Sequence, residues 1–135
     1  MNYVPPVRDS DNVLVTGSDQ SVTASWFDPN DPYNRGTVDL SGLGPPNEWW
    51  VNRALVQGHK KADPRGKGIG SRLLQKALQK AVELGATRVR VVPGGYEAGT
   101  LHLQRRFYEK NGFVRKNGER PGEEIWEWEP PVVAV

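Results

Sequence analysis

Seven residues, Arg65-Gly66-Lys67-Gly68-Ile69-Gly70-Ser71, run straight into an apolar helical pattern and offer the chemistry of an anion site. The first turn of a helix carries backbone N–H groups with no partner inside the helix. Those donors lie at the positive end of the helix dipole, where an anion is stabilised. Glycine leaves no side chain between the backbone and a large anion such as a diphosphate. The spacing separates this loop from two better-known phosphate motifs. Lys67 is followed by Gly68, so the Ser or Thr of a Walker loop is missing. The glycines do not follow G-x-G-x-x-G, the dinucleotide fingerprint. By itself the same pattern would also serve a tight turn with close helix–strand packing, so a second element has to decide between them.

The 135 residues fit one domain, residues 1–135, long enough to bury a core without metal or disulfide support. There is no cysteine, which excludes disulfides, thiolate metal sites and a cysteine nucleophile. No metal site is expected. A formal net charge of +2 gives little case for nucleic-acid binding, although Lys60, Lys61, Arg65 and Lys67 form a short basic cluster. The N-terminus lacks the apolar core of a signal peptide. No apolar run approaches the roughly 20 residues of a membrane span. A cytoplasmic location without membrane contact is the expectation.

The elements that must position the loop follow from periodicity. The first half reads as β: Val13-Leu14-Val15, the alternating run Ser21 to Phe27, a short strand Thr37 to Leu40, and Glu48 to Gln57. Asp28-Pro29-Asn30-Asp31-Pro32 reads as a turn. No helix is expected before residue 66, given Pro5, Pro6, Pro29, Pro32, Pro45 and Pro46. The second half reads β-α-β-α-β-β, counting the strand before the loop. Ile69, Leu73, Leu74, Ala77, Leu78, Ala81 and Val82 keep helical spacing over residues 68–84, with Gly85 as the stop. Arg88 to Val92 is a strand, about Thr100 to Asn111 a second helix, and Phe113 to Arg115 and Glu124 to Trp128 the last strands.

The second element is Arg106-Phe107-Tyr108-Glu109-Lys110-Asn111-Gly112-Phe113. The glycine loop and this segment together resemble the GNAT superfamily of acyl-CoA-dependent N-acetyltransferases. In that family R/Q-x-x-G-x-G/A holds the diphosphate of coenzyme A, and a later helix ending F-Y-x-K-x-G-F places a tyrosine beside the coenzyme's sulfur. Arg65, Gly68 and Gly70 match the first pattern; Phe107, Tyr108, Lys110, Gly112 and Phe113 match the second. The resemblance covers residues 60 to 115 and is poor before residue 55. It implies an α/β (α+β) fold with a mixed, twisted sheet, two main helices and a β-rich N-terminal half.

The resemblance also implies a ligand and a reaction. The diphosphate of acetyl-CoA would rest on the backbone of Gly66 to Ser71, after Arg65, with the pantetheine arm between two splayed parallel strands near residues 55–61 and 88–92. The acetyl group would pass directly to a primary amine. An amine with a free pKa of about 10.4 must first lose its proton, and Glu48, His59 or a chain of waters could take it. The departing thiolate benefits from a proton donor, and Tyr108 is the candidate. Three departures stand out. The family's two N-terminal helices are not expected here, the residues before the loop are Lys60-Lys61-Ala62-Asp63-Pro64, and the family's frequent asparagine at the start of the second helix falls on Leu101. The bare acceptor side is compatible with a homodimer. Other readings are a non-catalytic acyl-CoA-binding module on the same fold, and an acetyltransferase acting on an amine carried by a nucleic acid, such as an aminoacyl-tRNA.

Overall fold

The computed structural model describes residues 12–18, 20–28, 31–42, 48–57, 68–94, 101–117 and 124–131. They form seven strands and two helices in the order β1 (Val13–Ser18), β2 (Ser21–Asp28), β3 (Asp31–Ser41), β4 (Glu48–Gln57), α1 (Ile69–Glu83), β5 (Arg88–Val91), α2 (Leu101–Lys110), β6 (Val114–Asn117) and β7 (Glu124–Trp128). The strands make one sheet in the order β1-β2-β3-β4-β5-β7-β6. All neighbours are antiparallel except β4 and β5. A parallel pair needs a long crossover, and α1 supplies it. The mixed sheet with two helices is the architecture expected from the sequence, and no residue before Ile69 among those described is helical.

Several boundaries differ by a residue or more, and two of them have a plain physical reason. β3 is 11 residues long, not a short strand from Thr37, and it takes in Asp31 and Pro32 from the expected turn. The reason is a shift of register. Phe27 pairs with Arg35 but Asp28 pairs with Asp31, which leaves Pro32, Tyr33 and Asn34 without partners in β2. A proline is tolerated in a strand at such an irregularity, where no ladder hydrogen bond is asked of its nitrogen. β6 begins at Val114, one residue later than expected, because Phe113 still belongs to the cap of α2.

The core lies between the helices and one face of the sheet. Ile69, Leu73, Leu74, Ala77, Leu78 and Ala81 of α1 are buried against Val13, Val22, Ala24, Val38, Leu40, Trp49 and Val89. Each fully buried leucine contributes roughly 1.5–3 kcal/mol. Val82, counted with the apolar face from its spacing, turns to solvent at 37% exposure. Trp126 and Trp128 alternate with Glu127 on β7 and share the buried face. α1 stops as expected: Gly85 has φ 104, its N–H donates to Val82 O, and the N–H of Ala86 donates to Ala81 O. That pair of bonds is a Schellman cap.

Candidate active site

The gap between β4 and β5 is built by their unequal pairing. They pair only at Glu48–Arg88, Trp49–Val89 and Trp50–Arg90. β4 then runs on for seven more residues to Gln57, while β5 ends at Val91. A bulge helps to part them. Asp39 pairs with Arg53 but Leu40 pairs with Val51, so Asn52 is the extra residue of β4. Bulges bend and twist the strand that carries them. Asn52 donates from Nδ2 to Ser41 Oγ at 2.8 Å, which holds the bend in place.

α1 opens beyond the far end of β4. Gly68 is its cap residue, with φ 78 and ψ 8 and no side-chain cap on the first turn. A side chain is strained in this left-handed region, and glycine is not. No atom lies within 4 Å of where a Cβ would stand. The first turn contains no acidic residue, so no carboxylate of the turn itself competes with an anion for the N–H groups of Ile69, Gly70 and Ser71. Arg65, Gly66 and Lys67 of the same loop, and His59, lie outside the described residues.

Tyr108 sits near the end of α2, 5% exposed. The helix end explains its fixity. Gly112 has φ 91, its N–H donates to Glu109 O, and the N–H of Phe113 donates to Tyr108 O. This is a second Schellman cap, in which the residue after the glycine touches the residue four before it. Phe113 makes that contact edge-on to Tyr108, with ring centroids 5.3 Å apart, and Phe107 lies edge-on at 5.2 Å. The pattern Phe-Tyr-x-x-x-Gly-Phe is therefore a capping device that clamps a phenol. Burial pushes that phenol up to about 12, so it keeps its proton at neutral pH.

Tyr108 shares a face of α2 with Gln104, one turn before it, and with Asn111, three residues after. Both neighbours clasp other elements. Gln104 donates from Nε2 to Gly94 O at 2.9 Å and accepts from Gly94 N at 3.2 Å, just beyond the end of β5. Asn111, 7% exposed, donates from Nδ2 to Ser71 Oγ at 3.1 Å in the first turn of α1. Its Oδ1 accepts from Gln75 Nε2 at 3.1 Å. The tyrosine thus stands between a clasp just beyond the end of β5, one border of the gap, and a clasp to the first turn of α1. Neither Asn111 nor Gln104 stands out in the sequence. The polar residue before a helix-ending glycine looks like an ordinary turn residue, and its partners lie about 40 positions away.

Glu48 is placed differently from what a base requires. It is buried at the paired end of β4, with Oε1 3.0 Å from Arg90 Nη1 and Oε2 3.4 Å from Arg88 Nη2. Arg90 also pairs with Glu127 at 3.0 Å and lies over the ring of Trp50. Four charges on three strands form one chain across the sheet, and Trp50, unlike Trp49, belongs to it and not to the core. His102 is exposed on α2. Among the described residues no group of His, Cys, Asp or Glu could hold a metal, and no helix is long and apolar enough to cross a membrane.

Residues 61–115 match the family described as acetyltransferase (GNAT) domain. The fold is similar to that of a Klebsiella pneumoniae protein described as an acyl-CoA N-acyltransferase, with TM-score 0.63 and 16% identity over 82% of this chain and 72% of that one. It is similar to the PaiA N-acetyltransferase of Thermoplasma acidophilum, solved with coenzyme A, at TM-score 0.62 and 19% identity over 82% of this chain and 62% of that one. An aminoglycoside 6′-acetyltransferase of type Ii also matches, at TM-score 0.62 and 14% identity over 84% of this chain and 72% of that one. No curated protein matches the chain in sequence. Residues 61–115 thus carry the pattern of the GNAT acetyltransferase domain, and the chain shares the fold of these structures.

Proposed function

We propose that this chain, acting as one domain, is an N-acetyltransferase that moves an acetyl group from acetyl-CoA directly to a primary amine. The observation that carries the reading is the placement of Tyr108 on the face of α2 that is clasped to the end of β5 on one side and to the glycine-led first turn of α1 on the other. The residues present fit the coenzyme. Gly68 is left-handed with open space around it, and the first turn of α1 has no acid and, among the described residues, no side-chain cap on its amides. Arg65, Gly66, Lys67, Gly68, Ile69, Gly70 and Ser71 would hold the diphosphate, each favourable contact with the helix end contributing about 0.3–1 kcal/mol.

Acetyl-CoA supplies an acyl group activated as a thioester. The chain supplies position, charge and exclusion of water. Tyr108 offers a neutral O–H to negative charge developing in the gap. Because burial raises the phenol above its ordinary value, giving its proton up completely to a thiolate of ordinary acidity, about 8.5, would be uphill. The hydroxyl therefore works as a hydrogen-bond donor more than as a full acid. Glu48, engaged by two guanidinium groups, serves as a strut. His59, whose side chain has suitable intrinsic acidity, or a chain of waters is left to take the proton of the amine.

The test is release of free thiol from acetyl-CoA in the presence of a panel of primary amines, among them polyamines, lysine peptides and aminoglycosides. Tyr108→Phe should lower turnover by about 10²–10³, the cost of removing one preorganised donor, while coenzyme binding stays nearly intact. Equal turnover in the variant would remove Tyr108 from the mechanism. Coenzyme binding without thiol release from any amine would favour a non-catalytic acyl-CoA-binding module.

A further inference from the structure

We infer that Asn111 is a positioning residue that locks the diphosphate-binding turn of α1 to the helix carrying Tyr108. The inference rests on the coenzyme site proposed above. Asn111 is the cap residue of α2, and every polar atom of its side chain is used. Nδ2 donates both to Phe107 O, within its own helix at 2.8 Å, and to Ser71 Oγ at 3.1 Å. Oδ1 accepts from Gln75 Nε2, which also donates to Asn111 O at 3.3 Å. Both amide functions of one side chain thus span two helices, with no freedom left to choose another geometry. A buried amide that is fully bonded defines one arrangement, because any other would strand a polar atom away from water.

The partners give this joint its meaning. Ser71 stands in the first turn of α1, so its backbone belongs to the amides that face the diphosphate. Tyr108 lies three residues before Asn111, and Phe107, bonded to the same Nδ2, rests edge-on against it. Apolar burial alone fixes α2 weakly, since Tyr108 is its one fully buried residue, with Phe107 partly buried beside it. The polar joint sets the distance between the coenzyme's diphosphate end and the phenol near its sulfur.

The test measures coenzyme A binding calorimetrically on folded protein, with melting temperatures recorded in parallel, for the unmodified chain, Ser71→Ala, Asn111→Ala and the double variant. Asn111→Ala should weaken binding about tenfold and Ser71→Ala severalfold. The double variant should bind no worse than Asn111→Ala alone, because both changes cut the same link. A merely structural role would lower melting temperatures but leave affinities on folded protein unchanged, and that result overturns the inference. So would independent, multiplying losses. If Asn111→Ala does not fold, unchanged affinity in Ser71→Ala is enough to overturn it. No binding by the unmodified chain would instead refute the coenzyme site itself.

Discussion

A buried phenol and a largely buried carboxylate show how environment assigns roles to single residues. Tyr108 is held neutral by burial, which suits a donor and not a base. Glu124 is driven the other way. Arg105 forks onto it with bonds of 2.8 and 2.7 Å, and the indole of Trp126 donates to it at 2.7 Å. These bonds, that of Arg105 foremost, hold its carboxyl down at about 2 against an ordinary 4.5, with burial opposing them. A carboxylate with a lowered folded-state value stabilises the fold above its ordinary value, and that contribution is lost as the pH falls through the folded value. Glu124→Gln should therefore melt at a lower temperature than the unmodified protein at pH 7. The gap should close as the pH falls from about 4.5 to about 2, followed by circular dichroism. A gap independent of pH would show that the charge of Glu124 contributes nothing. Arg105 joins α2 to β7, so this pair is one more clasp on the helix that carries Tyr108.

The elements divide into those a sequence can specify locally and those it cannot. Both helices end in Schellman caps written in the chain itself, Gly85 after α1 and Gly112 after α2. Gly112→Ala puts a side chain at φ 91 with its Cβ 3.4 Å from Trp128, which should cost about 1–2 kcal/mol in urea denaturation. Unchanged stability would mean that the cap relaxes freely. The apolar period of α1 and the strands β4 and β7 were legible for the same reason: each depends on residues a few positions apart. The length of β3 was not. Its start is decided by pairing across a bulge at Pro32 to Asn34, which no local pattern records. Nor was the engagement of Glu48 by Arg88 and Arg90, because strand register alone brings residues 40 and 42 positions apart together. Asn111 is hidden on the same ground, its partners Gln75 and Ser71 being brought to it by tertiary packing alone.

At the scale of the whole molecule, a net charge of +2 conceals a division. Residues 60–117 hold 14 of the 18 lysines and arginines and only 4 of the 16 acidic residues. The proposed coenzyme-binding part is thus strongly basic and the remainder acidic, a field that favours the approach of a polyanion to α1 and α2. The sheet adds the second requirement, two parallel strands that part after three paired residues. The central claim is that free amides at the start of α1 grip a coenzyme's diphosphate and direct its sulfur towards Tyr108. The most direct measurement is calorimetric titration of the chain with coenzyme A. The account predicts one site per chain with a micromolar dissociation constant that weakens as salt is raised, and absence of heat at tens of micromolar protein and excess coenzyme would contradict it.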